Sequence, residues 1–229
     1  MPEPTDRPAA PGQRGGATRF EREQSTFAAH RIKGFSDGVV AIALTLLILP
    51  LMESVTDVAS EGGTGAEWLA ASGGHIGSFV LSFVLIASAW LQHHRLFARV
   101  EVVAPRLLTL TVVRMLTIVW LPVPTAMVGQ MQADALQKVL YIGTLTATSV
   151  ALAASRWYLA RHPRLHDIRE AELRSGRTVD AVIIGLYLVA LVVAVSLPGG
   201  AGYFAMFTLF LAAPIHALVE RVSARRDEA

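Results

Sequence analysis

Residues 31–51 read RIKGFSDGVVAIALTLLILPL, and this stretch decides the fold. Arg31, Lys33 and Asp37 crowd its start. From Gly38 to Met52 there is no charge, and Thr45 is the one polar side chain. About 20 predominantly apolar residues in a helix cross a hydrocarbon core of roughly 30 Å, so the stretch predicts a membrane span over 34–53. On a helical wheel Phe35, Gly38, Ile42, Thr45, Leu46 and Leu49 fall on one stripe at spacings of three and four. Asp37 falls on the opposite side, where a neighbouring span can meet it. The wheel alone leaves open whether the aliphatic stripe faces lipid, a packed core or something else.

The rest of the chain has the same character. Of 229 residues 53% are hydrophobic and only 17% charged, against about a quarter charged in soluble domains. With a mean hydropathy of +0.47, the composition predicts an all-α polytopic membrane protein. There is no cysteine, which excludes disulfides, thiolate metal sites and thiol nucleophiles. Residues 1–30 are rich in Pro, Gly and charge and read as a disordered N-terminal tail. They lack the apolar core and small-residue cleavage site of a signal peptide, and residues 35–51 lack such a site too, so the first span is expected to be retained. Further apolar windows at 74–93, 105–129, 136–159, 179–197 and 201–221 bring the expected number of spans to six, within a membrane domain of 31–222. Residues 223–229 form a short C-terminal tail. Pro198-Gly199-Gly200 is all that separates the last two spans, which therefore form a helical hairpin.

Charge gives the direction. Of the 20 Lys and Arg, 18 fall on one side of this layout: in the N-terminal tail, between spans two and three, between spans four and five (Arg156 to Arg177), and after span six. The other side holds Lys138 with Glu53, Asp57, Glu61, Glu67 and Asp134. Such a bias places both termini in the cytoplasm, and termini that share a side require an even number of spans, as counted.

Ionisable groups inside a span are expensive and point to function. Asp37 lies about one turn into span one and Arg114 about two turns into span three. Both are near the basic end, where Arg31 begins span one and His93 and His94 end span two. Arg31, Ser36, Asp37, His94 and Arg114 can therefore form one polar cluster. Such a cluster is either a structural salt bridge that fixes helix packing or a gating or proton-sensing group, because histidine titrates near neutral pH. His75, His162, His166 and His216 show no ligand pattern, Pro163 interrupting the pair at 162 and 166, so no metal site is expected. No phosphate-binding glycine loop, nucleophile elbow or acid–base carboxylate pair is present, and no enzyme activity or nucleic-acid partner is expected.

Arg31-x-x-x-Phe35-Ser36-Asp37, followed by Gly38-Val39-x-Ala41-Ile42-x-x-Thr45-Leu46-Leu47-x-Leu49, resembles the signature of the transmembrane protein 175 family of potassium channels. Trp90-Leu91-Gln92-His93-His94-Arg95-x-Phe97 and Leu121-Pro122-Val123-Pro124-Thr125-Ala126 resemble two further segments of the family, with Val123 where Phe is usual. Arg114 matches none of these motifs. The resemblance implies a bacterial channel of one six-span repeat, assembled as a homotetramer in the cell membrane, with no cofactor, no small-molecule substrate and K+ as the permeant ion. It implies that span one lines the pore, with an aliphatic constriction at Ile42, Leu46 and Leu49 and Thr45 as the adjacent hydroxyl. The same stripe emerged from the wheel. A ring of four Ile42 side chains would gate by dewetting and penalise the more tightly hydrated sodium more than potassium. The Phe35-Ser36-Asp37 segment would anchor span one to spans two and three. The alternative is a proton-coupled secondary transporter or exporter that uses Asp37 and His94 as a relay. Transporter sites usually lie near mid-membrane on broken helices, whereas here the charges lie near one end and mid-span is aliphatic.

Overall fold

The structure, a computed structural model, describes residues 31–197; the predicted tails and the sixth span at 201–221 lie outside the described residues. Every long element is helical. The first is α1 (31–46), followed by α2 (Leu49–Ser60), α3 (Gly65–Ala71), α4 (Gly73–Ala98), α5 (Pro105–Trp120), α6 (Pro122–Gln130), α7 (Ala135–Ala160) and α8 (Glu170–Ser196). A short 3-10 turn spans Pro163–Leu165. Arg31–Ser60, Gly73–Ala98, Pro105–Gln130, Ala135–Ala160 and Glu170–Ser196 are each long and apolar enough to cross a membrane.

Two of these five spans are each made of two helices, and proline is the reason. Pro50 has no N–H to give the carbonyl of Leu46, so the helix breaks at Leu47 and Ile48 and restarts as α2. Pro122 and Pro124 do the same at Leu121, whose N–H closes a tighter turn on Ile118 O at 3.2 Å before α6 begins. The third predicted span, 105–129, is thus α5 and α6 on one course. Between α2 and α3 the chain reverses at Gly62, whose φ of +75° only glycine takes without strain. A capping box then starts α3. Thr64 N–H and its hydroxyl both donate to Glu67, at 2.6 and 2.9 Å, and these bonds, backbone first, hold that carboxyl below its ordinary range.

Two apolar cores stack along the bundle. The larger joins Val40, Ala43 and Leu47 of α1 to Leu81, Leu85 and Ile86 of α4, Ile118, Tyr141, Ile142 and Leu145, and the α8 residues Val179 to Ala194. The smaller joins Leu96 and Phe97 at the end of α4, Leu107 early in α5, Leu152 and Leu159 late in α7, and Leu173 early in α8. Helix ends and helix beginnings meet there because consecutive spans run in opposite directions. The two connections at this basic end are knitted together. Glu101 N–H and Val102 N–H donate to Leu165 O at 3.0 and 3.2 Å, and Asp167 N–H donates to Arg99 O at 3.1 Å. Arg99 meets Glu172 at 2.6 Å, and Lys33 of α1 donates to Val100 O at 3.3 Å. The first span is thereby tied at its foot to the floor of the bundle.

Candidate functional site

The two sides of α1 have opposite fates. Ser36, Val40, Ala43, Leu47, Leu51 and Ser54, at spacings of three and four through the break, are buried. Phe35, Gly38, Ile42, Thr45, Leu46 and Leu49 are exposed: Ile42 to 61%, Leu49 to 52% and Leu46 to 37%, against 2% for Val40 and 1% for Leu47. The described residues therefore leave the wheel stripe uncovered. Thr45 donates its hydroxyl proton to Ile42 O at 2.7 Å. Its oxygen lone pairs stay available on that uncovered side.

Behind the stripe, at the foot of α1, two side chains hold the helix to α4. Trp90 Nε1 donates to Asp37 Oδ1 at 2.8 Å, and Ser36 Oγ lies 3.5 Å from His93 Nε2. His93 is buried and stacks on Phe97 at 4.0 Å between ring centroids. His94 is exposed and packs beside Trp90 at 5.3 Å. Helical phase explains the difference from expectation. His93 is three residues from Trp90 and four from Phe97, on the face that meets α1, while its neighbour is turned 100° away. Arg31 and Phe35 lie on the exposed side of the helix.

The expected single cluster is in fact two groups. Arg114 does not join Asp37. It is buried, donates to the carbonyl of Ala89, and lies within electrostatic reach of Asp180 on α8. Asp180 is ion-paired with Arg156 on α7, both buried, and Arg156 also donates to Gly176 O at 2.6 Å. Gly176 makes room for this guanidinium, because a Cβ there would sit 2.6 Å from Arg156 Nε and displace it. Counting Arg156 with the loop after span four is thus corrected: it lies inside that span's own window, 136–159, and α7 (Ala135–Ala160) buries it against Asp180. Asp180 is not among the residues singled out from the sequence, although a carboxylate as second residue of the predicted fifth span, 179–197, is the signal for this group. Lys138 is also buried, and donates to Ala194 O and Leu197 O at 2.8 and 3.1 Å, capping the end of α8. Among the described residues no group of three His, Cys, Asp or Glu could hold a metal ion.

Polar side chains also bridge helices inside the core. Ser82 Oγ meets Tyr141 OH at 2.9 Å and accepts from Thr125 at 2.9 Å, and Thr148 donates to Thr117 at 2.8 Å. Lipid supplies little hydrophobic force between helices, so such bonds and close packing hold a bundle together.

With this geometry in place, the chain can be set beside known proteins. Residues 31–122, from the foot of α1 to the α5–α6 break, match the family described as endosomal/lysosomal potassium channel TMEM175. A protein of Streptomyces collinus named as a potassium channel is 33% identical over 145 residues, covering 61% of this chain and 68% of that protein. One of Chamaesiphon minutus, also named as a potassium channel, is 29% identical over 169 residues, covering 70% and 81%. The chicken protein named as an endosomal/lysosomal proton channel is 30% identical over 120 residues, about half of this chain but only 24% of that longer protein. In fold, the chain matches the crystal structure of a lysosomal potassium-selective channel TMEM175 homolog from Chamaesiphon minutus. The TM-score is 0.60 at 22% identity, over 88% of this chain and 99% of that one. The family is one of ion channels, not enzymes. A membrane bundle whose first span carries the Arg31 to Leu49 motif, and whose matched relatives share both sequence and fold, leads to one conclusion: this chain belongs to the TMEM175 family.

Proposed function

We propose that the chain is one subunit of a potassium-permeable channel, a homotetramer of six-span subunits whose first span lines the pore. Residues 31–222 would form the channel domain and residues 1–30 and 223–229 its cytoplasmic tails, in a bacterial cell membrane. The observation that carries this reading is the split of α1. Its aliphatic face is left uncovered by the described residues while the opposite face is packed into the larger core. Four copies of that face around one axis would enclose a path lined by Ile42, Leu46 and Leu49. Ile42 would form the narrowest ring. A ring of branched aliphatic side chains repels water, so an ion crosses only by shedding part of its shell, which costs potassium less than sodium. The Thr45 hydroxyl would offer an oxygen to the partly dehydrated ion.

In this reading Ser36 and Asp37, held by His93 and Trp90, keep the pore helix fixed to its own subunit. Their place at the foot of the helix, tied to neighbouring side chains, favours an anchor over the mid-membrane relay of a coupled exporter. Arg31, Phe35 and His94 flank that anchor.

The test is potassium and sodium flux through purified protein in liposomes. Wild type passes potassium down its gradient without a coupled ion. Ile42→Asn wets the ring, raises flux and lowers the potassium-to-sodium ratio, whereas Val40→Asn disturbs packing and leaves the ratio alone. Unchanged flux in Ile42→Asn together with a changed ratio in Val40→Asn would put the pore on another face of α1.

A further inference from the structure

Arg114, Asp180 and Arg156 are all buried among apolar helices, and they do not balance: two guanidiniums face one carboxylate. Burying an uncompensated charge in a bundle surrounded by lipid is costly, and such groups are found paired. Beside Arg114 lies a cavity of about 20 Å³, walled by α4, α5, α7 and α8. Its polar lining is Ser88, Gln92, Arg114, Thr148, Ser149 and Tyr187. Every one of these side chains carries an N–H or O–H. Among the described residues the Ser88, Gln92, Ser149 and Tyr187 side chains have no hydrogen-bond partner, and the buried Arg114 Nε has no acceptor. Asp180, which would repel an anion, does not line the cavity.

We propose that this cavity is a binding site for a single monatomic anion of the chloride class. Three facts select that ligand. The surplus positive charge calls for an anion. The lining is rich in donors, with Arg114 Nε–H the charged one. A space of about 20 Å³ holds one water-sized particle, for which roughly 10–15 Å³ suffices, and favours a monatomic ion over sulfate or phosphate. With the ion in place the buried group is neutral, and α4, α5, α7 and α8 share one charged centre behind the pore helix. The inference does not depend on what the protein conducts.

The experiment uses the full chain purified in lipid nanodiscs, with potassium held constant and the anion varied between gluconate, chloride and bromide. Chloride and bromide raise the unfolding midpoint saturably, by roughly 4 °C at ten times the dissociation constant. In the double variant Gln92→Leu/Ser149→Ala, which spares the ion pair, the rise is lost. Crystals grown in bromide show anomalous scattering between Gln92 and Arg114. An equal midpoint in gluconate and halide overturns the proposal. So does a rise that survives in the double variant, or bromide-grown crystals with only water in the cavity. If the double variant does not fold, the bromide signal in the wild type decides.

Discussion

Asp37 and Asp180 are carboxylates on two helices that are both long and apolar enough to span a membrane, yet their surroundings differ. Asp37 stands half-buried at the foot of α1 with a neutral indole as its donor. Asp180 is buried in α8 between two guanidiniums that arrive from α5 and α7. The first side chain holds one helix to its neighbour and leaves that helix's other face uncovered. The second holds three helices to one another by charge. The bundle is thus strapped firmly at the back and pinned lightly at the front, where the proposed pore surface lies. A front helix held by the hydrogen bonds of Lys33, Ser36 and Asp37 can adjust without unpairing a buried charge.

The largest effect is expected at the back. Asp180→Ala leaves Arg156 and Arg114 buried without their carboxylate, and should cost about 3–5 kcal/mol. The yield of folded protein and the denaturant midpoint measure it. Adding Arg156→Leu should restore part of the loss, since removing both members of a buried pair is far milder than removing one. No rescue would mean that the pair does not couple α7 to α8.

A middle-sized effect separates the two faces of α1. Leu47 is 1% exposed and Leu46 is 37% exposed. Leu47→Ala should cost about 2–5 kcal/mol as a core cavity, while Leu46→Ala should cost much less stability and change ion flux instead. Equal stability losses would show that both faces are packed and would blur the front–back contrast.

The smallest effect is expected at the pin. Trp90→Phe keeps most of the packing against His94 but removes the donor to Asp37, a loss of about 1 kcal/mol. Thermal unfolding in detergent checks it. A loss as large as that of Asp180→Ala would place the main strap at the front.

The sequence was legible wherever a rule depends on neighbours along the chain. An apolar run of membrane length and the stripe on α1 follow from local geometry. The breaks at Pro50 and Pro122 and the turn at Gly62 are local too, yet the single spans expected over 34–53 and 105–129 pass over both breaks. So do the helical membrane architecture and, through the Arg31 to Leu49 motif, the family. Partnership between helices was not legible in the same way. Arg114 stood out as a charge inside a span, but nothing local told whether it would turn toward Asp37 or toward Asp180, because the rotation of α5 about its own axis decides. His93 and His94 are adjacent in the chain and 100° apart on the helix, so only the packing of α1 against α4 could say which is buried. Arg156 looked like one more basic loop residue although it falls inside the predicted window 136–159, and only its partners on α8 showed why a charge is buried there. Sequence fixes what each helix is and which of its faces is apolar. The rotation and depth at which helices meet arise from packing summed over the whole bundle, and that alone decided which buried charges became partners.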